Sequence, residues 1–217
     1  MRGLSFAEFL NRLERSLKGD LPGAAAHALM APRPRRNWPP GFSIERIRHA
    51  AGLLLLFPLD DQPHIVLTVR AQTLDRHGGQ VSLPGGVIEA GETYDEAAFR
   101  EAQEEIGLRM GEAERLGVLS PIDIPVSGFR LHPVVAATRR KPVLRAADGE
   151  VASILEPSLA HLMDRERIEW RTMARETGPL EFPVFLAEGV EIWGATAMVL
   201  AELLSILGWT GPAAHRS

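Results

Sequence analysis

Residues 51–57 read Ala-Gly-Leu-Leu-Leu-Leu-Phe, an apolar run with no polar interruption. A strand with one wet face alternates polar and apolar residues, so an unbroken run of this length belongs to a strand covered on both faces. Such a strand needs a layer above it and another below. Two segments with helical periodicity, residues 93–106 and 195–207, are the natural covers. Further strand candidates are residues 65–69, after the turn signal of Asp60, Asp61 and Pro63, then 116–119, 129–137, 168–173, 183–186 and 191–193. Many strands with few, widely separated helices predict a layered α/β sandwich rather than a doubly wound sheet.

The chain opens with an amphipathic helix. Ser5 and Glu8 have the spacing of a capping box, and Phe6, Phe9, Leu10, Leu13 and Leu17 recur at helical intervals. That apolar stripe needs a partner, either its own domain or a second subunit of a homodimer. Residues 31–41 then combine Pro32, Pro34, Pro39 and Pro40 with Arg33, Arg35 and Arg36, a composition suited to an extended connector. The expected organisation is a helix and connector over residues 1–44, one main domain over 45–209, and a tail over 210–217.

Composition narrows the function. A formal net charge of -4 over 217 residues does not suit a protein that holds nucleic acid by bulk electrostatics, although a few local cations still suit a small anion. With no cysteine there is no disulfide, no thiolate nucleophile and no cysteine-type zinc site, which is in keeping with the cytoplasm. Glu8, Arg12 and Glu14 interrupt what a secretion signal needs to be apolar. The longest apolar run, residues 50–57, falls far short of the roughly 20 residues that cross a bilayer, so no membrane partner is expected.

The chemistry concentrates on residues 86–108. Thr93 and Glu96 form a second capping box and Gly107 supplies a left-handed stop, so both ends of the helix are marked. At about 100° per residue, Glu101, Glu104 and Glu105 share one face, and Ala98, Ala102 and Ile106 share the neighbouring one. The small apolar stripe can dock on a sheet while the carboxylates face a cleft. Three like charges repel one another, and a hard divalent cation such as Mg²⁺ or Mn²⁺, which takes oxygen ligands, turns that repulsion into binding. Arg100 can pair with Glu104 one turn on or reach back to Glu92, and Gly85 and Gly86 permit a sharp turn ahead of the helix. A lone pair of glutamates on a helix is usually a solvated face.

The whole spacing is another matter. Gly86, five residues, Glu92, seven residues, then Arg100, Glu101, Ala102, Gln103, Glu104, Glu105, Ile106, Gly107 and Leu108 resembles the Nudix box at every defined position. The resemblance implies an α/β/α sandwich, here with a mixed sheet and the short N-terminal helical extension read from its own periodicity. It also implies metal ions on Glu101, Glu104 and Glu105, and attack of water on phosphorus in a small-molecule diphosphate, with Glu92 and Arg100 in support. Related enzymes often carry a distant glutamate that assists the metal or acts as general base. Glu150 is the candidate here, against the plainer reading of an exposed strand-start residue.

Upstream, residues 67–71 (Leu-Thr-Val-Arg-Ala) and 76–86 (Arg-His-Gly-Gly-Gln-Val-Ser-Leu-Pro-Gly-Gly) resemble the motif of the coenzyme A pyrophosphatase branch of that family. Ala71 stands where the branch usually has Ser, Asp75 where it has Arg, and Leu83 where it has Phe. The resemblance implies cleavage of coenzyme A or its derivatives into 3',5'-ADP and the matching 4'-phosphopantetheine, with Arg70, Arg76, Gly85 and Gly86 at the substrate. Arg70 also has a plainer reading, a strand-end residue paired with a local carboxylate. The rivals are the same chemistry on ADP-ribose or a dinucleotide, and a Nudix module that senses a ligand without cleaving it.

Overall fold

The computed structural model describes residues 4–71 and 79–213. In chain order the helices are α1 (Phe6–Leu17), α2 (Gly23–Met30), α3 (Tyr94–Ile106), α4 (Leu159–Leu162) and α5 (Gly194–Ile206). The strands are β1 (Arg48–Leu59), β2 (Gln62–Ile65), β3 (Leu67–Arg70), β4 (Val81–Ser82), β5 (Gly85–Val87), β6 (Glu114–Val118), β7 (Ile122–Ile124), β8 (Phe129–Ala137), β9 (Val151–Leu155), β10 (Ile168–Met173), β11 (Leu180–Ala187) and β12 (Val190–Ile192).

The apolar run is the central strand. β1 pairs in parallel with β8 and antiparallel with β2 and β5, which share its other edge, and β6 and β7 extend the sheet beyond β8. The sheet is therefore mixed. Alternate residues of β1 enter two cores. Ala51, Leu53, Leu55 and Phe57 meet α3 through Ala97, Ala98, Ala102 and Ile106, whereas Leu54 and Leu56 face a larger core containing α1 and α5. Leu53 to Leu56 and Phe57 are completely buried, each contributing about 1.5–3 kcal/mol of apolar burial. Helices thus lie on both faces, as the expected α/β/α sandwich requires.

Two smaller sheets flank this one, β4-β3-β9 and β10-β11-β12. Residues 65–69, expected as one strand, divide between two sheets. β2 ends at Ile65 on β1, the Val66 amide donates to the Leu55 carbonyl, and β3 begins at Leu67 with β4 and β9 as neighbours. Hydrophobicity is continuous through the switch because both sides of it are core.

The N-terminal segment is part of the same interior. α1 has the anticipated capping box, and its Phe6, Phe9, Leu13 and Leu17 join the main core, so its stripe is covered by its own chain. α2 was not anticipated, since Gly-Ala-Ala-Ala-His-Ala-Leu-Met carries no strong amphipathic period; it is helical where it packs on α5. The connector is irregular, as its prolines require, but Arg33 exchanges both backbone hydrogen bonds with Glu181 of β11, at 2.7 and 2.9 Å.

One buried charge fastens α2 and α5 together. Glu202, fully buried on α5, accepts from the Gly23 amide (3.0 Å), the Ser120 amide (3.0 Å) and the Ser120 hydroxyl (2.6 Å), and pairs with His27 Nε2 at 2.9 Å. Burial pushes its carboxyl up, but the His27, Ser120 and Gly23 bonds outweigh burial and hold it below the ordinary carboxylate value. Glu202→Ala leaves these donors without an acceptor and should cost about 3–5 kcal/mol in denaturant titration. The contribution is present above the unfolded carboxylate pKa and lost as pH falls through the lower folded value, so the gap between wild type and variant should close on acidification.

Candidate active site

The site begins where two glycines cross the central strand. In the β1–β5 ladder Gly85 faces Gly52 and Gly86 faces Ala51. A Cβ on Gly85 would lie 2.3 Å from the Ala51 carbonyl oxygen, and one on Gly86 would lie 2.3 Å from Glu101 Oε1. Both approaches are closer than any side chain tolerates, so the pair is glycine to let backbone pass between strand and carboxylate.

α3 follows after a short loop. Thr93 caps it, with the Glu96 amide donating to Thr93 Oγ1 (3.3 Å) and Glu96 Oε2 accepting from the Thr93 amide (2.8 Å), and Gly107 closes it at φ 68°. The docked alanines leave Glu101 and Glu104 toward solvent and carry Glu105 inward, to 6% exposure.

Arg100 is the brace. Its Nε and Nη2 grip Glu92 Oε1 and Oε2 at 2.9 and 3.1 Å, the two-pronged geometry that fixes both planes. Nη2 also donates to the Val87 carbonyl (3.1 Å), and Nη1 donates to Glu101 Oε1 (3.0 Å) and Glu104 Oε2 (3.3 Å). The Arg100 bond holds the Glu92 carboxyl below its ordinary value, and Glu92 in turn keeps the guanidinium protonated. Of the two expected pairings of Arg100, both occur, and that with Glu92 is bidentate.

Glu105 is short of positive charge. Burial pushes its carboxyl up to about 7, against the pull of the Gly85 amide, which donates to Oε2 at 3.1 Å, and of Arg70; Glu101 and Glu150 push it further up. The charges of Glu101, Glu150 and Arg70 therefore reach Glu105, although they come from α3, the start of β9 and the end of β3. Glu150 is exposed and reaches this place along the segment that crosses the end of α3. The Arg145 amide donates to the Ile106 carbonyl (2.9 Å), the Ala147 amide to the Glu105 carbonyl (2.8 Å), and the Ala71 amide to the Glu150 carbonyl (2.9 Å).

Among the described residues no group of three histidine or acidic side chains is arranged to hold a metal ion. By its chemistry alone, carboxylate oxygen, the set on α3 suits a hard divalent cation. Glu101, Glu104 and Glu105 are carboxylates of one helix, Glu105 turned inward and Glu104 outward; among the described residues Arg70 is the cation acting on Glu105, and Arg100 pairs with the other two.

Other expected residues are placed differently. Arg76, together with Asp75 and His77, lies outside the described residues. In the run Arg139, Arg140, Lys141, Arg139 pairs with Glu114 and Lys141 with Glu156, so a basic stretch that a phosphate would suit meets local carboxylates instead. Leu83 is buried against Gly52, which makes its difference from Phe a matter of core packing. Gly85, expected at the substrate, directs its amide to Glu105. The amides of Arg145 and Ala147 escaped sequence reading because every residue but proline has one.

A family model described as the NUDIX domain matches residues 47–179, with α1 and α2 ahead of it. The protein named Uncharacterized Nudix hydrolase NudL in Salmonella paratyphi B is similar at 35% identity over 159 residues, covering 73% of this chain and 82% of its own. The solved RenU Nudix hydrolase of M. smegmatis aligns over 78% of this chain and 91% of its own, with a TM-score of 0.54 at 19% identity. A MutT protein from Methanosarcina mazei aligns over 77% and 100%, with a TM-score of 0.50 at 16% identity. These two share the fold. The chain belongs to the Nudix family.

The Glu105 environment has a measurable consequence. A carboxyl raised in the folded state adds stability below its unfolded pKa, and that stability is lost as pH rises through the folded value near 7. Without divalent cations, Glu105→Gln should therefore melt progressively higher than wild type as pH is raised from about 5 to about 9. Parallel melting curves across that range would remove the charge-starved carboxylate from the account.

Proposed function

We propose that the protein is a metal-dependent hydrolase that cuts the diphosphate linkage of coenzyme A or its derivatives, giving 3',5'-ADP and the matching 4'-phosphopantetheine. The observation that carries the hydrolytic reading is the carboxylate face of α3, Glu101, Glu104 and Glu105, held by the Arg100–Glu92 brace and opposed by Glu150 and Arg70. A module that only senses a ligand has no use for ligand carboxylates kept intact on a braced helix. The coenzyme A reading draws on the motif of residues 67–86. In that motif Thr68 is buried and bonded to Ser82, and Leu83 serves the core, so the Leu83 difference leaves the substrate side of the cleft unchanged.

Mg²⁺ or Mn²⁺ on Glu101, Glu104 and Glu105 would supply Lewis acidity at the diphosphate and an acidified water. The chain's own residues do the rest. Arg100 keeps Glu101 and Glu104 in fixed rotamers, and the Gly85 amide fixes Glu105. Arg70 offers a planar cation to phosphate oxygens as negative charge gathers on them. A carboxylate, either a glutamate of α3 or Glu150, removes the proton from the attacking water and must lie within about 3 Å of it. The new bond joins the water oxygen to one phosphorus. The bridging P–O bond breaks, and its oxygen departs on the other phosphate.

Incubation with Mg²⁺ or Mn²⁺ and a panel of coenzyme A, ADP-ribose and dinucleotide diphosphates, with products identified by mass, tests the substrate. Coenzyme A should give 3',5'-ADP and 4'-phosphopantetheine; intact coenzyme A beside cleaved ADP-ribose overturns that choice. Glu104→Gln should lower turnover by at least about 100-fold with the fold retained by circular dichroism. A variant that keeps its turnover would refute the metal role of this face.

A further inference from the structure

Thr196 is the third residue of α5, where a hydroxyl ordinarily turns back on its own helix. Instead it is buried and donates to the carbonyl of Val81, 115 positions away in sequence, at 2.8 Å. Val81 belongs to β4, the end strand of the β4-β3-β9 sheet. The alternation of an antiparallel ladder shows what that hydrogen bond does. The Arg70 amide donates to the Gln80 carbonyl, and Thr68 is opposite Ser82, so position 81 turns its carbonyl away from β3 and off the sheet edge. Thr196 meets it there.

β4 is only two residues long, and the catalytic turn hangs from it. Leu83 follows and packs on Gly52, the Pro84 carbonyl accepts from the Leu53 amide at 2.8 Å, and the Gly85 amide donates to Glu105. The inner edge of β4 is held by the ladder and by Thr68 Oγ1, 3.0 Å from Ser82 Oγ. The outer edge is held by Thr196. A strand this short has few ladder bonds to fix its own pitch, so the outer tie adds to the Pro84 and β1–β5 contacts that set where the Gly85 amide points.

We infer that Thr196 is a positioning residue of the active site, acting from α5 through the Val81 carbonyl and β4 on the Gly85 amide that orients Glu105. The inference rests on the hydrolytic reading given above for its effect on rate, but not for its effect on β4. Loss of the hydroxyl leaves a buried carbonyl without a donor and frees one edge of the strand. A shift of the glycine turn by a fraction of an ångström misplaces Glu105, and displacements on that scale cost large factors in rate.

The test compares full-length wild type, Thr196→Val and Thr196→Ser. Hydrogen exchange resolved to residues 81–86 is measured alongside steady-state hydrolysis of coenzyme A with Mg²⁺. Thr196→Val, which keeps the shape and loses the donor, should exchange at least about tenfold faster at residues 81–86 while the amides of β1 and β8 keep wild-type protection. Its kcat should fall about tenfold with KM within about twofold, and Thr196→Ser should restore both. Wild-type protection at 81–86 in the Val variant overturns the inference. So does an equal loss across the whole chain, which marks general destabilisation, or a Ser variant that behaves like Val. A wild-type protein that cleaves no diphosphate refutes the proposed function, and the exchange comparison still decides the part played by Thr196.

Discussion

Everything at the active site depends on how closely α3 can lie against β1. Ala97, Ala98 and Ala102 present almost no side chain to the sheet, and Gly85 and Gly86 present none to the helix or the strand. Larger residues at the alanines would lift the helix and carry its glutamates with it, while a side chain on Gly85 would strike β1 and one on Gly86 the Glu101 carboxylate. The short approach has an electrostatic price as well, since it draws Glu105 out of water with, among the described residues, the Gly85 amide as its hydrogen-bond donor. Close packing and charge shortage are thus one arrangement. The helix sits where it does because its inner face is small, and its Glu105 carboxyl is buried because the helix sits there.

Much of this was legible from the sequence, and the reason is local. The capping boxes at Ser5 and Thr93 and the stop at Gly107 are short-range signals, so α1 and α3 fall where the residues place them. β8 and β10 have the expected limits because turn residues bound them. The pairing of Arg100 with Glu92 and Glu104 follows from spacing on a helix and its entry loop. What was missed depends on tertiary surroundings. α2 lacks a periodic stripe, β4 and β5 are too short and glycine-rich to carry an alternating pattern, and the switch of sheet at Val66 has no mark in composition.

The site shows the same division. Glu101, Glu104 and Glu105 could be assigned to one face from their spacing, but the depth of Glu105 could not, because burial depends on Gly85 and on what lies behind it. Glu150 could be named but not placed. Its approach to Glu105 is made by backbone amides at Arg145 and Ala147, groups that leave no trace in residue identity. The extension ahead of the family domain is likewise tied in by a charge at Glu202 of α5, whose partners come from two distant parts of the chain, α2 (Gly23 and His27) and Ser120.

The segment that brings in Glu150 also closes the end of α3, since the Arg145 and Ala147 amides occupy carbonyls that the last turn of a helix leaves open. Glu150 is therefore measured from the helix end in space and not from the helix in sequence. A change of length between β8 and Arg145 leaves Glu150 in place only while the Arg145 and Ala147 amides still meet their carbonyls.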